Sequence, residues 1–162
     1  MTETPKMTAP TPEEIAAARA QGTFTAVLHT TKGDITLTLD GTAAPLHVAN
    51  LVKLARAGYY DGVKFHRVVA GFVIQAGDPT GTGSGGPGYK INFETSPLKH
   101  VQGALGMART NDPNSAGSQF YITLAPTPSL DGSYVVFGTT AAGTEVVESI
   151  REGDVITSVE IK

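Results

Sequence analysis

The sequence predicts a mainly-β fold, an antiparallel barrel or sandwich. Three observations carry that expectation. Apolar and polar side chains alternate with period two at 24–28 and 35–39, and short strand-like runs recur through the chain. Only two longer stretches hold firm helical spacing. The 19 glycines and 10 prolines fall largely between the runs, as turns in a many-stranded fold require. At 162 residues the chain fits one domain and can bury a core without staples.

Taken in order, residues 1–10 read as a Thr/Pro-rich tail without structure. Thr11-Pro12-Glu13-Glu14 then reads as a helix start: Thr11 caps, Pro12 suits the first helical position and Glu14 completes a capping box. This helix ends near Gly22, and with Ile15 its single large apolar residue it is expected to dock weakly. Residues 1–22 are therefore an N-terminal extension, and 23–162 the folded domain. Phe24, Ala26 and Leu28, then Ile35, Leu37 and Leu39, form a β-hairpin around Lys32-Gly33. Val48, Leu51, Val52 and Ala55 share a helical stripe that Pro45 opens and Gly58 closes. Strands are expected at 65–69, 73–76, 104–108, 119–124, 134–138 and 155–161, with a helix at 145–152 capped by Thr144 and stopped by Gly153. Residues 77–88 hold six glycines and two prolines and cannot form a regular element.

Composition removes several function classes. With no cysteine there is neither a disulfide framework nor a thiolate zinc site. Twelve basic against fifteen acidic residues, with no basic run, make nucleic acid a poor partner. No apolar stretch approaches a membrane span and no secretory leader is evident, so a cytoplasmic protein is the default expectation. The Gly81–Gly86 stretch fits a GxGxxG pattern, but Pro87-Gly88 follows it where a dinucleotide site needs a helix. His29, His47, His66 and His100 are not spaced as metal ligands, and Ser118 is not in a GxSxG elbow. No metal and no cofactor are expected.

What remains is FHRVV at 65–69 followed by GFVIQAGD at 71–78. An arginine within an apolar strand is costly unless its charge is solvated or paired, and Gln75 is a neighbour able to hydrogen-bond it. A two-residue turn at Ala70-Gly71 would put Arg67 and Gln75 on opposite faces. A three-residue loop at 70–72, or an equivalent bulge, puts them opposite each other on one face.

The blocks FHRVVAGFVIQAGDPTGTGSGG, GALGMART, NSAGSQFYITL and SLDGSYVVFG occur here in the order found in cyclophilins. The chain, over about 23–162, resembles a small bacterial-type cyclophilin, a peptidyl-prolyl cis-trans isomerase. The resemblance implies a closed eight-stranded antiparallel β-barrel capped by two α-helices. It implies proline-containing peptides and partly folded proteins as substrates, and a monomer. It assigns Arg67 as the donor to the twisted proline amide and Gln75 as the residue that orients it. It also implies that Phe72, Val73, Tyr121 and Leu130 hold the proline ring, with Tyr134 as a pocket wall. Ala108, Arg109, Thr110 and Gln119 match positions that hold the adjoining peptide.

The departures carry expectations of their own. Val73 stands where many members have methionine, giving a shorter, stiffer floor. Tyr121 stands for phenylalanine, adding a polar tip near the proline. Ser129 replaces a tryptophan that binds cyclosporin in many members, so weak cyclosporin binding is expected. Arg109 replaces a frequent asparagine and reads either as a substrate contact or as a solvated surface arginine. The loop at 112–115 is one residue longer than in common members. A module of the same fold that binds peptide with little turnover is the alternative, and retention of both Arg67 and Gln75 favours the enzyme.

Overall fold

In a computed structural model, which describes residues 6–162, one nine-stranded antiparallel sheet curls around an apolar interior. Helix α1 (Pro12–Gln21) precedes the hairpin β1 (Thr23–Thr30) and β2 (Gly33–Asp40). Helix α2 (Pro45–Arg56) follows, then β3 (Val63–Lys64), β4 (Arg67–Val69), β5 (Val73–Ala76), β6 (Ala104–Met107) and β7 (Phe120–Thr123). A single 3-10 turn at Pro128–Leu130 leads to β8 (Val136–Ala142), α3 (Thr144–Ser149) and β9 (Val155–Ile161). The order across the sheet is β3-β9-β1-β2-β8-β6-β7-β5-β4.

The two ends of that order, β3 and β4, are separated in the chain by Phe65 and His66 alone. Three residue steps reach roughly 10 Å, so the sheet must curl until its edges meet. Of the expected strand at 65–69 only 67–69 is strand, a further short strand lies ahead of it at 63–64, and nine strands appear where eight were expected. The cause is a change of partner. Phe65 bonds Asp154 and Gly153 beside β9, whereas Arg67 pairs with Gln75 of β5. Among the described residues no ladder joins β3 to β4; the chain itself closes the curl.

Period-two alternation places Phe24, Ala26, Leu28, Ile35, Leu37, Leu39, Ile74, Leu105 and Ile122 inside the sheet. Helix α2 lays its apolar stripe on the same core, with Leu54 and Val48 fully buried. Its N-terminus lacks a side-chain cap of its own, and Glu94 supplies one from a distant loop, accepting from the backbone N–H groups of Leu46 and His47 and pairing with His47 Nδ1 at 2.6 Å.

Some boundaries differ from the sequence reading. The first hairpin turns at Thr31-Lys32, with Gly33 already paired to Thr30. Strand β8 runs on to Ala142 because it pairs with β2 through threonines and alanines that show no apolar alternation. Helix α3 begins at Thr144, so the cap is Gly143, and it stops before Ile150, whose extended backbone turns a buried side chain inward. The capping box of Thr11 and Glu14 is present. Helix α1 seats through close approach: Ala18 is buried, and a Cβ on Gly41 would run into its carbonyl oxygen. In the extension, Met7 packs on the core, and Lys53 Nζ donates to Thr8 Oγ1 and Ala9 O and pairs with Glu14. Residues 1–5 of the expected tail lie outside the described residues.

Candidate active site

The loop between β4 and β5 has three residues, Ala70, Gly71 and Phe72, with Gly71 at φ 72°. An odd loop pairs Arg67 with Gln75 and Val69 with Val73. The same row continues through Tyr121 of β7 to Gly106 of β6. Neighbours one step along each strand, Ile74, Ile122 and Leu105, point into the core. The row Arg67–Gln75–Tyr121–Gly106 therefore lies on the outside of the curled sheet. Val73 and Tyr121 are buried without belonging to the interior cluster, because a second layer of side chains covers them from outside.

That layer and the row enclose a cleft of about 240 Å³ lined by Arg67, Phe72, Val73, Gln75, Ala108, Arg109, Tyr121, Leu130 and Tyr134. Its floor is apolar and its rim carries the guanidinium. Arg67 Nη1 donates to Gln75 Oε1 at 3.1 Å, and its guanidinium lies 5.9 Å from the Phe72 ring centre. Gln75 Nε2 donates in turn to Gln119 Oε1 at 3.1 Å. Gln119 Nε2 is anchored on the carbonyls of Gly83 and Gly85. The chain of amides fixes which end of Gln75 faces the arginine: its Oε1 accepts there because its Nε2 is committed elsewhere.

The glycine-rich segment that anchors this relay is itself built on Asp78. Its buried carboxylate accepts from the backbone N–H groups of Thr80, Thr82, Gly83 and Gly85 and from the hydroxyls of Thr80 and Thr82. Burial pushes this carboxyl up, but the bonds from Thr80, Gly85 and Gly83 outweigh it and hold its pKa at about 2. Beyond Gln75 and Gln119, the segment walls a second, wider cleft of about 680 Å³, where Thr110 and Gln119 lie and where Ala108 and Arg109 form the divide with the first.

The polar tip expected near the proline at Tyr121 is instead committed to a buried histidine. Its hydroxyl meets His100 Nε2 at 2.7 Å, and His100 Nδ1 meets Asp131 Oδ1 at 2.8 Å. A carboxylate can only accept, so Nδ1 donates to Asp131, and with its proton placed there the neutral ring accepts at Nε2 from the phenol hydroxyl. The two rings stack at 9°. Burial pushes the Tyr121 phenol well above its ordinary range. The ring also explains Gly106: a Cβ there would run into the phenol. His100, Asp131 and Gly106 escaped the sequence reading, because the links from His100 span 21 and 31 residues. Three of the four histidines find carboxylates only through the fold: His29 with Asp34 and Glu160, His47 with Glu94, and His100 with Asp131.

Arg109 is neither free in solvent nor loose. Its guanidinium stacks 4.3 Å over Tyr134, donates twice to Ser133 O and once to Thr110 O, and keeps two N–H groups unspent. Thr110 is held by Ser115, which closes the 112–115 loop on itself. Tyr134 meets Tyr121 edge-on at 6.3 Å. Among the described residues no group of three or more metal-ligating side chains gathers.

Comparison with known proteins gives the chain its family. A family model described as cyclophilin type peptidyl-prolyl cis-trans isomerase/CLD matches residues 25–162. A peptidyl-prolyl cis-trans isomerase of Synechococcus elongatus is 49% identical over 138 residues, covering 84% of this chain and 94% of the relative. One from Helicobacter pylori is 45% identical over 150 residues, covering 90% and 91%. Among solved structures, a cyclophilin type peptidyl-prolyl cis-trans isomerase of Cryptosporidium parvum superposes with TM-score 0.81 at 34% identity, covering 86% of this chain and 98% of that one. A second structure of that protein, in the presence of the dipeptide Ala-Pro, superposes with TM-score 0.80 at 35% identity, covering 85% and 98%. With a match over nearly all of the curled sheet and relatives of almost the same length, the chain belongs to the cyclophilin-type peptidyl-prolyl cis-trans isomerases, enzymes that interconvert the cis and trans forms of X–Pro peptide bonds.

Proposed function

We propose that Arg67 is the group that lowers the barrier to X–Pro rotation. The observation that carries this reading is the pairing of Arg67 with Gln75 at the rim of a cleft whose apolar floor has room for a proline ring. Rotation must break amide resonance, at a cost of about 18–20 kcal/mol. In the planar isomers the proline nitrogen's electron pair is delocalised. In the twisted state it becomes a localised acceptor. A donor fixed beside it stabilises that state over both ground states. A guanidinium held by Gln75 is permanently charged and forked, and it needs no reorientation as the lone pair appears. Phe72, Val73, Tyr121 and Leu130, with Tyr134 as wall, grip the ring while the rest of the chain turns. Ala108, Arg109, Thr110 and Gln119 hold the adjoining peptide along the divide and the wider cleft.

The substrates on this reading are exposed X–Pro segments of peptides and partly folded chains, in line with the Ala-Pro dipeptide present with the Cryptosporidium parvum relative. Residues 23–162 form the isomerase domain and 1–22 an N-terminal extension, of which residues 6–22 line neither cleft. The protein works as a cytoplasmic monomer without metal or cofactor; no helix is long and apolar enough to cross a membrane among the described residues. Cyclosporin binds weakly, because Ser129 is exposed and offers no indole. Nanomolar inhibition would sink that last point.

The test is cis-trans exchange of an Ala-Pro peptide followed by NMR at catalytic protein concentration. The wild type accelerates exchange. Arg67→Ala loses about 10²–10³-fold, with thermal unfolding unchanged because Arg67 is exposed. Near-normal acceleration by a folded Arg67→Ala variant overturns the role given to this arginine.

A further inference from the structure

The charged side chains around the two clefts are of one sign. Arg67 lines the proline cleft, Lys90 the wider cleft, and Arg109 both. Among the described residues no aspartate or glutamate lines either one, although the whole chain carries 15 acidic against 12 basic residues. None of the three cations has a carboxylate within ion-pair distance among the described residues; the lysine ion pairs found are Lys32–Asp154 and Lys53–Glu14. Asp112, between Thr110 and Ser115, is exposed and lines neither cleft, its Oδ1 accepting from the Asn114 N–H. Two other carboxylates beside the walls are engaged more fully. Asp78 is buried under its ring of N–H and hydroxyl donors, and Asp131 Oδ1 takes both the backbone N–H and the ring of His100.

Arg109 is built to present its charge. Stacking on Tyr134 and bonds to two carbonyls fix the guanidinium at the divide, and those carbonyls are neutral, so the charge stays uncompensated. Its two unspent N–H groups and the exposed ammonium of Lys90 border the wider cleft beside the proline. We infer that this cleft selects X–Pro segments carrying an aspartate or glutamate within about three residues of the proline, the reach of an extended chain across the divide. The inference rests on the reading of the two clefts as the substrate groove and adds the chemical class of flanking side chain that the groove prefers. A lysine at the same place meets like charge and is disfavoured.

The experiment is a set of host peptides with one Ala-Pro bond and Glu, Gln or Lys placed in turn at each of three positions on either side of the proline. Their KM and kcat are measured by exchange NMR. At one or more positions the Glu peptide is expected to exceed its Lys counterpart about ten-fold in kcat/KM, with the difference in KM, since each exposed pair is worth up to about five-fold. The preference should collapse between about 0.02 and about 0.5 M salt. Lys90→Glu, at an exposed residue without an ion pair, should shrink or reverse the Glu-to-Lys ratio, and Arg109→Gln should shrink it. Acceleration of the Gln peptides with no charge preference, or a preference untouched by Lys90→Glu, overturns this inference alone. Failure of the wild type to accelerate any of the peptides overturns the groove reading and this inference with it.

Discussion

Strands β5 and β7 present two different materials on their two faces. Inward, Ile74 and Ile122 are closed into an apolar interior. Outward, Gln75 and Tyr121 sit in a hydrogen-bonded layer that runs from Arg67 to the glycine-rich segment and from Tyr121 to Asp131. Apolar burial is non-directional and tolerates small shifts, so the inner face sets stability without fixing any atom for chemistry. Hydrogen bonds are directional, so the outer face fixes where the guanidinium and the cleft walls stand. Disrupting one face should therefore move a different observable from disrupting the other.

The largest expected effect lies inside. Ile122→Ala opens a cavity at a fully buried position and should cost about 2–5 kcal/mol in chemical denaturation. The fraction that remains folded should keep kcat/KM within about three-fold, since no atom of Ile122 lines the clefts. A selective loss of kcat with unchanged stability would break the division between faces.

Next comes the anchor of the outer layer. Asp78→Asn replaces an acceptor of six donors with a group that must aim an N–H at some of them, a cost of about 3 kcal/mol. Here stability and activity should fall together, because Gln119 and so Gln75 hang on the segment that Asp78 organises. The wild-type carboxyl has its pKa depressed from 3.8 to about 2. Its stabilisation is thus present above 3.8 and lost as pH falls through about 2. An acid titration of stability should show that component in the wild type, while in Asp78→Asn it should be absent.

A smaller effect tests the back of the pocket. Tyr121→Phe keeps the ring but leaves His100 Nε2 buried without a partner, costing about 1–2 kcal/mol. Replacing His100 by leucine in the same chain removes the orphaned group, so the double variant should recover part of the loss. Additive losses in that cycle would show that the Tyr121–His100 contact carries no coupling.

The same division explains what was legible in the sequence. Inner-face positions repeat with period two, so β5 and β9 could be bounded from the pattern; the pattern left a two-residue turn and a three-residue loop at 70–72 both open, and only the functional resemblance asked for the odd loop that pairs Arg67 with Gln75. Capping chemistry is local, so Thr11 and Glu14 marked α1. The smaller cleft was legible through resemblance rather than pattern: nine of the residues it pointed to line that cleft, and Thr110 and Gln119 line the neighbouring one. The supports were not legible. Gly106 is required only once the register sets it across from Tyr121, and Asp131 reaches His100 only after the curl of the sheet brings residues 31 apart together. The short strand at 63–64 and the late start of the next at Arg67 were hidden for the same reason, since a change of partner leaves no mark in local alternation.

The outer face of the opposite wall sharpens the comparison with the smallest effect. On β1, β2 and β9, His29 bridges Asp34 at 2.8 Å and Glu160 at 3.1 Å. The bonds to Asp34 and Glu160 raise the imidazole pKa above 6.5. A raised pKa means that this stabilisation is fully present below 6.5 and is lost as pH rises through the folded value. The side chain of His29 is 35% exposed and its partners are more so, so screening holds the contribution under about 1 kcal/mol. His29→Gln should therefore lower the denaturation midpoint slightly at about pH 5.5 and not at about pH 8.5, with the difference fading in salt and kcat/KM unchanged at both. An outer-face cluster that directional bonds hold but no cleft adjoins should thus register in stability alone, and a change in turnover on losing His29 would mean that the two walls are coupled through the sheet.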